Sequence, residues 1–311
     1  IMEQFSDLIK NRRSMRKFTG EEVNQEEVVT LLKKLFPISY VKYRYKTLFG
    51  KKLNLKDPHN FNEKILWLML YWQHPLIVTC ADKYRMRGYV KKCGCIEYMP
   101  KLYGVYKSTE EIEWDKFPNK FAIKCNHGCK MNIICDDKNK FDIAESTKKL
   151  NYWMKDNYAY HVYEPHYAHI KPLILCEEYI ETDAGVFPDD YKIYCFNGEA
   201  KVILVCMERQ DGKLRLEWYD LSWNPLDIGR DKNEQKAKKP LCLDEMIKCA
   251  EKLSKPFPYV RVDFYDKDGK AILGEMTFTP YYGMARYYNE KGNEWLGSLL
   301  RLPDKYPKHY K

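Results

Sequence analysis

The stretch from Tyr259 to Pro280 constrains the fold most, because its residue pattern predicts a β-hairpin. Apolar residues take every second position at Val260, Val262 and Phe264, which is the period of a half-buried strand. The next residues, Asp266–Gly269, suit a type I turn followed by a residue at positive φ, a position that favours Gly269. The sequence therefore predicts two antiparallel strands, with charged side chains on one face.

The loop length of this hairpin decides whether two of its carboxylates share a face. Because strand side chains alternate, Asp263 and Glu275 share a face only if the loop has an odd number of residues. A three-residue loop, Lys267–Gly269, would pair Arg261 with Glu275 and place Asp263 diagonal to Glu275, within reach of one divalent cation. A two-residue Asp268–Gly269 turn would put the carboxylates on opposite faces. The alternative interpretation is an ordinary hairpin with a solvated charged face.

Length and composition exclude several classes of protein. The 311 residues are enough for a large core, in one domain or in two to three lobes. No run of about 18 apolar residues predicts a helix that spans a membrane. The 11 cysteines are scattered and odd in number, which favours a reducing compartment over a disulfide scaffold, and we expect a cytoplasmic location.

The chain is basic, with a net charge of +9 from 53 basic and 44 acidic residues. Much of the excess lies in Lys10–Lys17 and Lys42–Lys56. Such stretches can contact anionic lipid, nucleic acid or an acidic glycan. We expect peripheral contact with the inner face of a membrane and no nucleic-acid partner. A solvated helix surface explains the same charges equally well.

Several strands carry polar residues that together suit a nucleoside triphosphate. Lys124 and Lys192 lie on two predicted strands, and Arg261 lies on the hairpin beside Asp263 and Glu275. Cations balance phosphate charge, and a carboxylate pair can hold Mg²⁺, which bridges phosphate oxygens. Each residue also has a plainer interpretation, since lysines on edge strands discourage aggregation and acids are common at surfaces.

A further strand, Ile174–Ile180, runs into acidic residues at Glu177 and Glu178. Its backbone edge near Glu178 can hydrogen-bond a purine. Upstream, Asn60 and Glu63 form a predicted capping box at the start of an apolar helix.

Seven short segments together resemble a known family. Each segment alone is a weak match, and their order along the chain makes the match specific. They are Asn60–Lys64, Ala81–Tyr84, Phe121–Gly128, Glu177–Ile180, Asp190–Gly198, Val260–Phe264 and Gly274–Pro280. In this order the chain resembles the ATP-grasp superfamily, and within it the TupA-like group linked to bacterial surface-polysaccharide synthesis.

The resemblance implies an α+β ATP-grasp fold, in which two α+β lobes with antiparallel sheets grip a nucleotide. An N-terminal helical region would precede the lobes. We expect that region to span residues 1–105, the small lobe with its phosphate loop 106–180, and the C-terminal lobe with the metal-binding hairpin 181–311.

The resemblance also implies the nucleotide-binding residues. Lys124 would contact ATP phosphate or the adenine side of the cleft, and Lys192 would reach phosphate. A flexible loop would cover the phosphates, and a hinge would hold adenine. The loop residues are Asn126, His127 and Gly128, within Asn126–Lys130, and the hinge residues are Glu177, Glu178, Tyr179 and Ile180.

The hairpin would supply the metal ligands and part of the catalytic charge. Asp263 and Glu275 would hold Mg²⁺, while Arg261 and Lys192 would stabilise charge that develops during transfer. Thr277 stands where many ATP-grasp enzymes carry an asparagine metal ligand, and we include it as a third ligand. This departure puts a second metal position in doubt.

By the same resemblance, the chain would be an ATP- and Mg²⁺-dependent ligase of capsular or teichuronic-type polysaccharide synthesis. It would activate a carboxylate as an acylphosphate for amide formation. The partners would be an acidic sugar or glycan acceptor and an amino donor, as small molecules or a lipid-linked polymer. Three alternatives stay open: a sugar or glycan kinase, a glycosyltransferase-like protein, and a non-catalytic protein that binds anionic glycans.

Overall fold

A computed structural model describes residues 30–31, 33–182, 188–207, 214–230 and 236–303. The predictions for the basic segment Lys10–Lys17 lie outside these residues. The helices are α1 Pro37–Phe49, α2 Phe61–Tyr71, α3 Pro75–Ala81, α4 Arg85–Lys92, α5 Ile143–Lys155, α6 Ala159–Val162, α7 Leu243–Ser254 and α8 Glu290–Leu299. Within the described part of the chain, none of the helices is both long and apolar enough to cross a membrane.

The strands form two antiparallel sheets, as the predicted α+β class requires. They are β1 Leu102–Tyr106, β2 Phe121–Cys125, β3 Asn132–Cys135, β4 Ile174–Glu178, β5 Asp190–Phe196, β6 Glu199–Met207, β7 Arg215–Tyr219, β8 Tyr259–Lys267 and β9 Lys270–Thr277. The first sheet has the order β1-β4-β2-β3 and the second has the order β7-β6-β5-β8-β9. Strand β1 spans the boundary that we predicted between residues 105 and 106.

The second sheet has one apolar face and one mixed face, with aromatic residues at one end of the mixed face and charged residues at the other. Val260, Val262 and Phe264 of β8 are fully buried in a core that includes α7. On the other face, Phe61 of α2 packs edge-on against Tyr259 at a ring-centroid distance of 5.0 Å. Helix α2 therefore covers one end of that face and leaves the other end free for a site.

Helix α2 begins where the sequence predicts. The side chain of Asn60 accepts a hydrogen bond from the backbone N–H of Glu63, and the Glu63 carboxylate accepts one from the backbone N–H of Asn60. This reciprocal capping box satisfies two backbone donors at the helix start and confirms the prediction.

The turn of the organising hairpin differs from our expectation. Lys267 pairs with Lys270, so the turn has two residues, Asp268 at φ 51° and Gly269 at φ 86°. Two residues at positive φ match the right-handed twist of the strands, and aspartate tolerates this conformation better than most residues. The prediction of a three-residue loop was therefore wrong.

A β-bulge restores the shared face that this turn would otherwise abolish. The register shifts between Asp263 and Phe264, and Gly274 is the additional residue on β9. Asp263 consequently lies opposite Glu275, while Arg261 lies opposite Thr277 and not opposite Glu275 as we expected. The two carboxylates share the mixed face of the second sheet, at its charged end.

Candidate active site

A cavity of about 530 Å³ lies between the two sheets. The first sheet contributes Lys124 to its wall, and the second sheet contributes Lys192, Asp263 and Glu275. The structure thus brings together, from distant parts of the chain, the charged residues that the sequence singled out.

The part of the cavity wall near the end of β4 is more apolar. Ile180 follows β4, and Tyr265 pairs with Ile272 close to the tip of the β8–β9 hairpin. The hairpin tip reaches β4 itself, because the ammonium of Lys267 donates to Oε1 of Glu178 at 2.7 Å. An apolar end and a charged end are what a nucleotide base and its phosphates require.

Asp263 lies at the centre of a buried ion network. Its Oδ1 accepts from Nε of Arg261 at 2.7 Å, and its Oδ2 accepts from Nη2 of Arg261 and from Nζ of Lys192, both at 2.6 Å. Burial alone would raise the pKa of the Asp263 carboxyl, but the two cations outweigh it and hold this pKa below its usual range. The carboxyl therefore stays ionised and fixed in orientation.

Lys192 is held by two carboxylates, because β5 places it between them. It lies opposite Asp263 in the β5–β8 ladder and two residues after Asp190 on the same face of β5. Its ammonium also donates to Oδ2 of Asp190 at 2.5 Å. Burial would lower the pKa of Lys192, but Asp190 and Asp263 raise it above its usual value, so the lysine stays charged.

Glu275 is more open than Asp263. Its side chain is 37% exposed, with Oε1 3.5 Å from Nη2 of Arg261. The hydroxyl of Thr277 donates to the same Oε1 at 3.2 Å and accepts from Nη2 of Arg261 at 3.1 Å. Arg261 thus contacts all three predicted metal ligands.

The donor set of this corner fits Mg²⁺. Asp263 and Glu275 offer carboxylate oxygens on one cavity wall, and oxygen is the ligand atom that Mg²⁺ prefers. Across the residues that the structure covers, no group of three or more histidine, cysteine or acidic side chains forms a metal cluster. Mg²⁺ held by this pair would take its other ligands from water and phosphate, as it commonly does in nucleotide sites.

Lys124 contacts a buried carboxylate on the neighbouring strand. It forms an ion pair with Glu177, whose other oxygen lies 3.3 Å from Nη1 of Arg87. The Glu177 side chain is only 3% exposed, so its carboxylate is enclosed by these two cations. Both Lys124 and Glu177 line the cavity, and Glu177 fixes the position of the lysine.

The predicted hinge residues lie where β4 leaves the first sheet. The backbone N–H of Glu178 donates to the carbonyl of Lys101 at 2.9 Å, while its carboxylate accepts from Lys267 of the second sheet. Burial would raise the pKa of Glu178, but the hydrogen bond from Lys267 lowers it below its usual value. Tyr179 and Ile180 continue from this point along the cavity wall.

Asn126 and His127 of the predicted phosphate loop point into the protein. Asn126 is fully buried; its Nδ2 donates to Oδ1 of Asp82 at 2.9 Å, and its Oδ1 accepts from the N–H of Leu173 at 2.7 Å. His127 is also buried, with Nε2 3.0 Å from the carbonyl of Trp153, and burial lowers its pKa. These two side chains hold the loop in place and do not line the cavity.

The following residues of the loop do reach the cavity. Cys129 and Lys130 line it, with Lys130 at φ 60°. Gly128 lies just behind them, and a Cβ on it would approach the sulfur of Met131 to 2.7 Å. A larger residue here would displace the Met131 side chain.

Sequence reasoning assigned no role to Lys83 and Asp190, which also line the cavity. The ammonium of Lys83 donates to the carbonyl of Gly128 at 2.5 Å and so connects the Ala81–Tyr84 segment to the phosphate loop. Both had a signal in the sequence. Lys83 belongs to a segment that the resemblance singled out, and Asp190 lies two positions before Lys192 on one strand.

Comparison with known protein families identifies the family of this chain. The TupA-like ATPgrasp family matches residues 63–301. The chain belongs to the TupA-like ATP-grasp family. This assignment confirms the predicted ATP-grasp fold, which is typical of ATP-dependent carboxylate–amine ligases. No curated protein matches the chain.

Solved structures similar to this TupA-like ATP-grasp protein include D-alanine–D-alanine ligase from Bacillus anthracis. It is 16% identical, with 90% of this chain and 93% of that chain covered and a TM-score of 0.44. For the same ligase complexed with ATP, the match is 16% identical and covers 64% of this chain and 55% of that chain, with a TM-score of 0.38. The ATP-grasp ligase PsnB, complexed with a precursor variant, Mg and ADP, is 12% identical over 92% of this chain and 76% of that chain, with a TM-score of 0.42.

Proposed function

We propose that this TupA-like ATP-grasp protein is an ATP- and Mg²⁺-dependent ligase that joins a carboxylate to an amine. The observation that carries the proposal is the facing pair Asp263 and Glu275, which shares one cavity with Lys124 and Lys192. The ATP-grasp family supports the nucleotide, and the hard oxygen donors support the metal.

The acidic pair in the cavity wall supports dependence on a divalent cation. Four lysines and five carboxylates line the cavity. The lysines are Lys83, Lys124, Lys130 and Lys192, and the acids are Glu177, Glu178, Asp190, Asp263 and Glu275. Three of these acids also pair with cations just outside the lining, which are Arg87, Lys267 and Arg261. Mg²⁺ held by Asp263 and Glu275 would neutralise phosphate charge and polarise the phosphorus–oxygen bond.

The protein's own residues would position the reactants and stabilise charge. Lys124 and Lys192 would contact phosphate oxygens, and the apolar wall beside Ile180 would hold the base. Arg261 is buried behind the cavity lining and fixed by Asp263, and it would contribute positive charge near the oxygen on which negative charge develops during transfer. No covalent nucleophile from the protein is needed.

The proposed reaction has two balanced steps. An oxygen of the substrate carboxylate attacks the γ-phosphorus of ATP, which gives an acylphosphate and ADP. The amine then attacks the acyl carbon, phosphate leaves, and the amine nitrogen loses one proton as the amide forms. We propose an acidic sugar or glycan of capsular or teichuronic-type polysaccharide synthesis as the carboxylate substrate, because the TupA-like resemblance indicates it.

The direct test is ADP release with ATP and Mg²⁺ over a panel of uronic acids and amines, followed by product mass. An amide mass in the wild type, lost in Asp263→Asn and kept in Asp115→Asn, supports the proposal; Asp115 is exposed and lies outside the cavity. A product that gains a phosphate would show a kinase instead. If the protein neither binds nor turns over ATP with Mg²⁺, the proposal fails.

A further inference from the structure

A second cavity, of about 420 Å³, lies among α1, the start of α2 and the start of α8. It has no lining residue in common with the active-site cavity. The segment 285–289 connects this cavity to the core of the second sheet. Its Tyr287 hydroxyl lies 3.0 Å from that of Tyr194, whereas Arg286 and Tyr288 line the second cavity.

The wall of this cavity is rich in amide and hydroxyl groups. Asn62 accepts from the hydroxyl of Tyr288 at 2.8 Å, and its backbone N–H donates to Oδ1 of Asn293 at 3.1 Å. The amide nitrogen of Asn293 makes no hydrogen bond within the described ranges. Among the residues that the structure describes, the Tyr45 hydroxyl has one long contact, 3.5 Å from the amide nitrogen of Asn60. Groups that can both donate and accept match the hydroxyls of a polar ligand.

Two arginines give the cavity its anion-binding character. The side chains of Arg230 and Arg286 are exposed and form no ion pair or hydrogen bond with any residue for which the structure gives a position. The backbone of Arg230 is anchored, because its N–H donates to the carbonyl of Tyr287 at 3.0 Å. Guanidinium groups bind carboxylates and phosphates through paired hydrogen bonds.

The acidic residues of the cavity do not cancel this pair. Glu290 forms an ion pair with Lys51, and both side chains are mostly exposed at the rim. Glu294 is the remaining acid, against the two arginines. The cavity therefore has a net positive charge above a wall of neutral polar groups.

We propose that this cavity binds a small polyhydroxylated anion, either a sugar acid or a sugar phosphate. Arg230 and Arg286 contact its carboxylate or phosphate, and Asn293 and Tyr45 contact its hydroxyls. The proposal rests on this cavity alone and does not require the proposed ligase reaction.

The test is titration calorimetry of the full chain without nucleotide, with D-glucuronate, D-glucose 6-phosphate and D-glucose as probes. We expect saturable binding of at least one of the two acids, and D-glucose should bind about tenfold more weakly or not at all. The acid that binds more tightly shows whether the anionic group is a carboxylate or a phosphate. If neither acid binds, or if D-glucose binds equally well, the proposal is overturned.

Variants locate the site. Arg230→Gln and Arg286→Gln should each weaken binding of the acid about tenfold, whereas Arg301→Gln, an exposed arginine elsewhere, should leave it unchanged. Lys130→Gln removes an exposed cation of the active-site cavity and should also leave it unchanged. Wild-type affinity in both arginine variants, or loss in a folded Lys130→Gln, would refute the site. Thermal unfolding shows which variants are folded. If Arg286→Gln fails to fold, the binding measured with Arg230→Gln, whose substitution lies in a loop, decides whether the site exists.

Discussion

Asp263 lies directly opposite Glu275 in the β8–β9 ladder, although the turn that joins these strands has two residues. A regular ladder continued from the Lys267–Lys270 pair would place Gly274 opposite Asp263 and turn Glu275 to the other face. The bulge at Gly274 absorbs one residue and returns both carboxylates to the cavity. A local irregularity of the strand therefore creates the acidic pair.

Neutralising the two carboxylates should affect stability very differently. Asp263→Asn leaves Arg261 and Lys192 buried without their shared anion, so we expect a loss of about 3–5 kcal/mol in the free energy of unfolding. Glu275→Gln changes a partly exposed contact and should cost about 1 kcal/mol or less. Both variants should lose ADP release by about 100-fold or more. Urea denaturation and an ADP assay measure the two effects.

The exposed Asp115→Asn serves as the control for both measurements and should behave as the wild type. If Asp263→Asn and Glu275→Gln were equally stable, the buried ion network described for Asp263 would not exist in solution.

The sequence predicts the elements of this site better than their detailed geometry. Alternation identified β8, the capping residues identified α2, and the family resemblance placed Lys124 and Lys192 at one nucleotide cleft, whose cavity both residues line. The bulge at Gly274 escaped prediction, because the pattern shows alternation but does not show where a strand contains an unpaired residue. The expected three-residue loop gave the correct face for Glu275 for the wrong reason, because the real turn has two residues and the bulge supplies the odd residue.

The sequence also did not predict which way the side chains of the phosphate loop point. Asn126 and His127 are polar residues in a loop and suggested contact with phosphate. Asn126 instead meets Asp82, which is 44 positions away, and His127 meets the carbonyl of Trp153. Such long-range partners depend on the packing of α5 and the segment before α4, which no local pattern contains.

Glu164 should give the protein an unusual dependence on pH. Its carboxyl is fully buried and accepts a hydrogen bond from the hydroxyl of Thr279. Burial raises its pKa to about 8; the charge of Glu275 adds to this and that of Lys83 opposes it. Between the ordinary value of 4.5 and about 8, the folded protein keeps a proton that the unfolded chain has lost. The contribution of Glu164 to the free energy of unfolding therefore falls as pH rises through that range, by up to about 1.4 kcal/mol per pH unit.

Glu164→Gln tests this expectation, because the amide keeps an acceptor for Thr279 and cannot ionise. Relative to the wild type, this variant should become progressively more stable as pH rises from about 5 to about 8. The measurement is the free energy of unfolding by urea at several pH values. A constant difference between the two proteins over that range would contradict a raised pKa for Glu164.

Asn126→Ala should destabilise the protein more than it changes nucleotide contacts. The substitution leaves the Leu173 N–H and the Asp82 carboxylate without their buried partner, at a cost of about 2–3 kcal/mol. Lys130→Gln, in the same loop but facing the cavity, should change stability by less than about 0.5 kcal/mol and weaken ATP binding. Urea denaturation and ATP titration compare the two. The reverse result would mean that Asn126 contacts the phosphates.

Bound nucleotide should protect Cys129 from alkylation. This thiol lines the active-site cavity, and its sulfur lies 3.6 Å from the hydroxyl of Tyr167. Burial, and then the negative charge of Glu275, raise its pKa, so its reaction with iodoacetamide should be slow and should accelerate at alkaline pH. Cys93 is also partly buried but lies outside the cavity, and it provides the internal control.

Mass spectrometry of alkylated peptides measures both thiols in one sample. ATP with Mg²⁺ should slow the modification of Cys129 and leave that of Cys93 unchanged, because only Cys129 shares a cavity with the proposed phosphate and metal ligands. Equal protection of both cysteines would indicate a general tightening of the protein on binding. Protection of neither would place the nucleotide away from the loop that carries Cys129 and would remove Lys130 from the phosphate contacts.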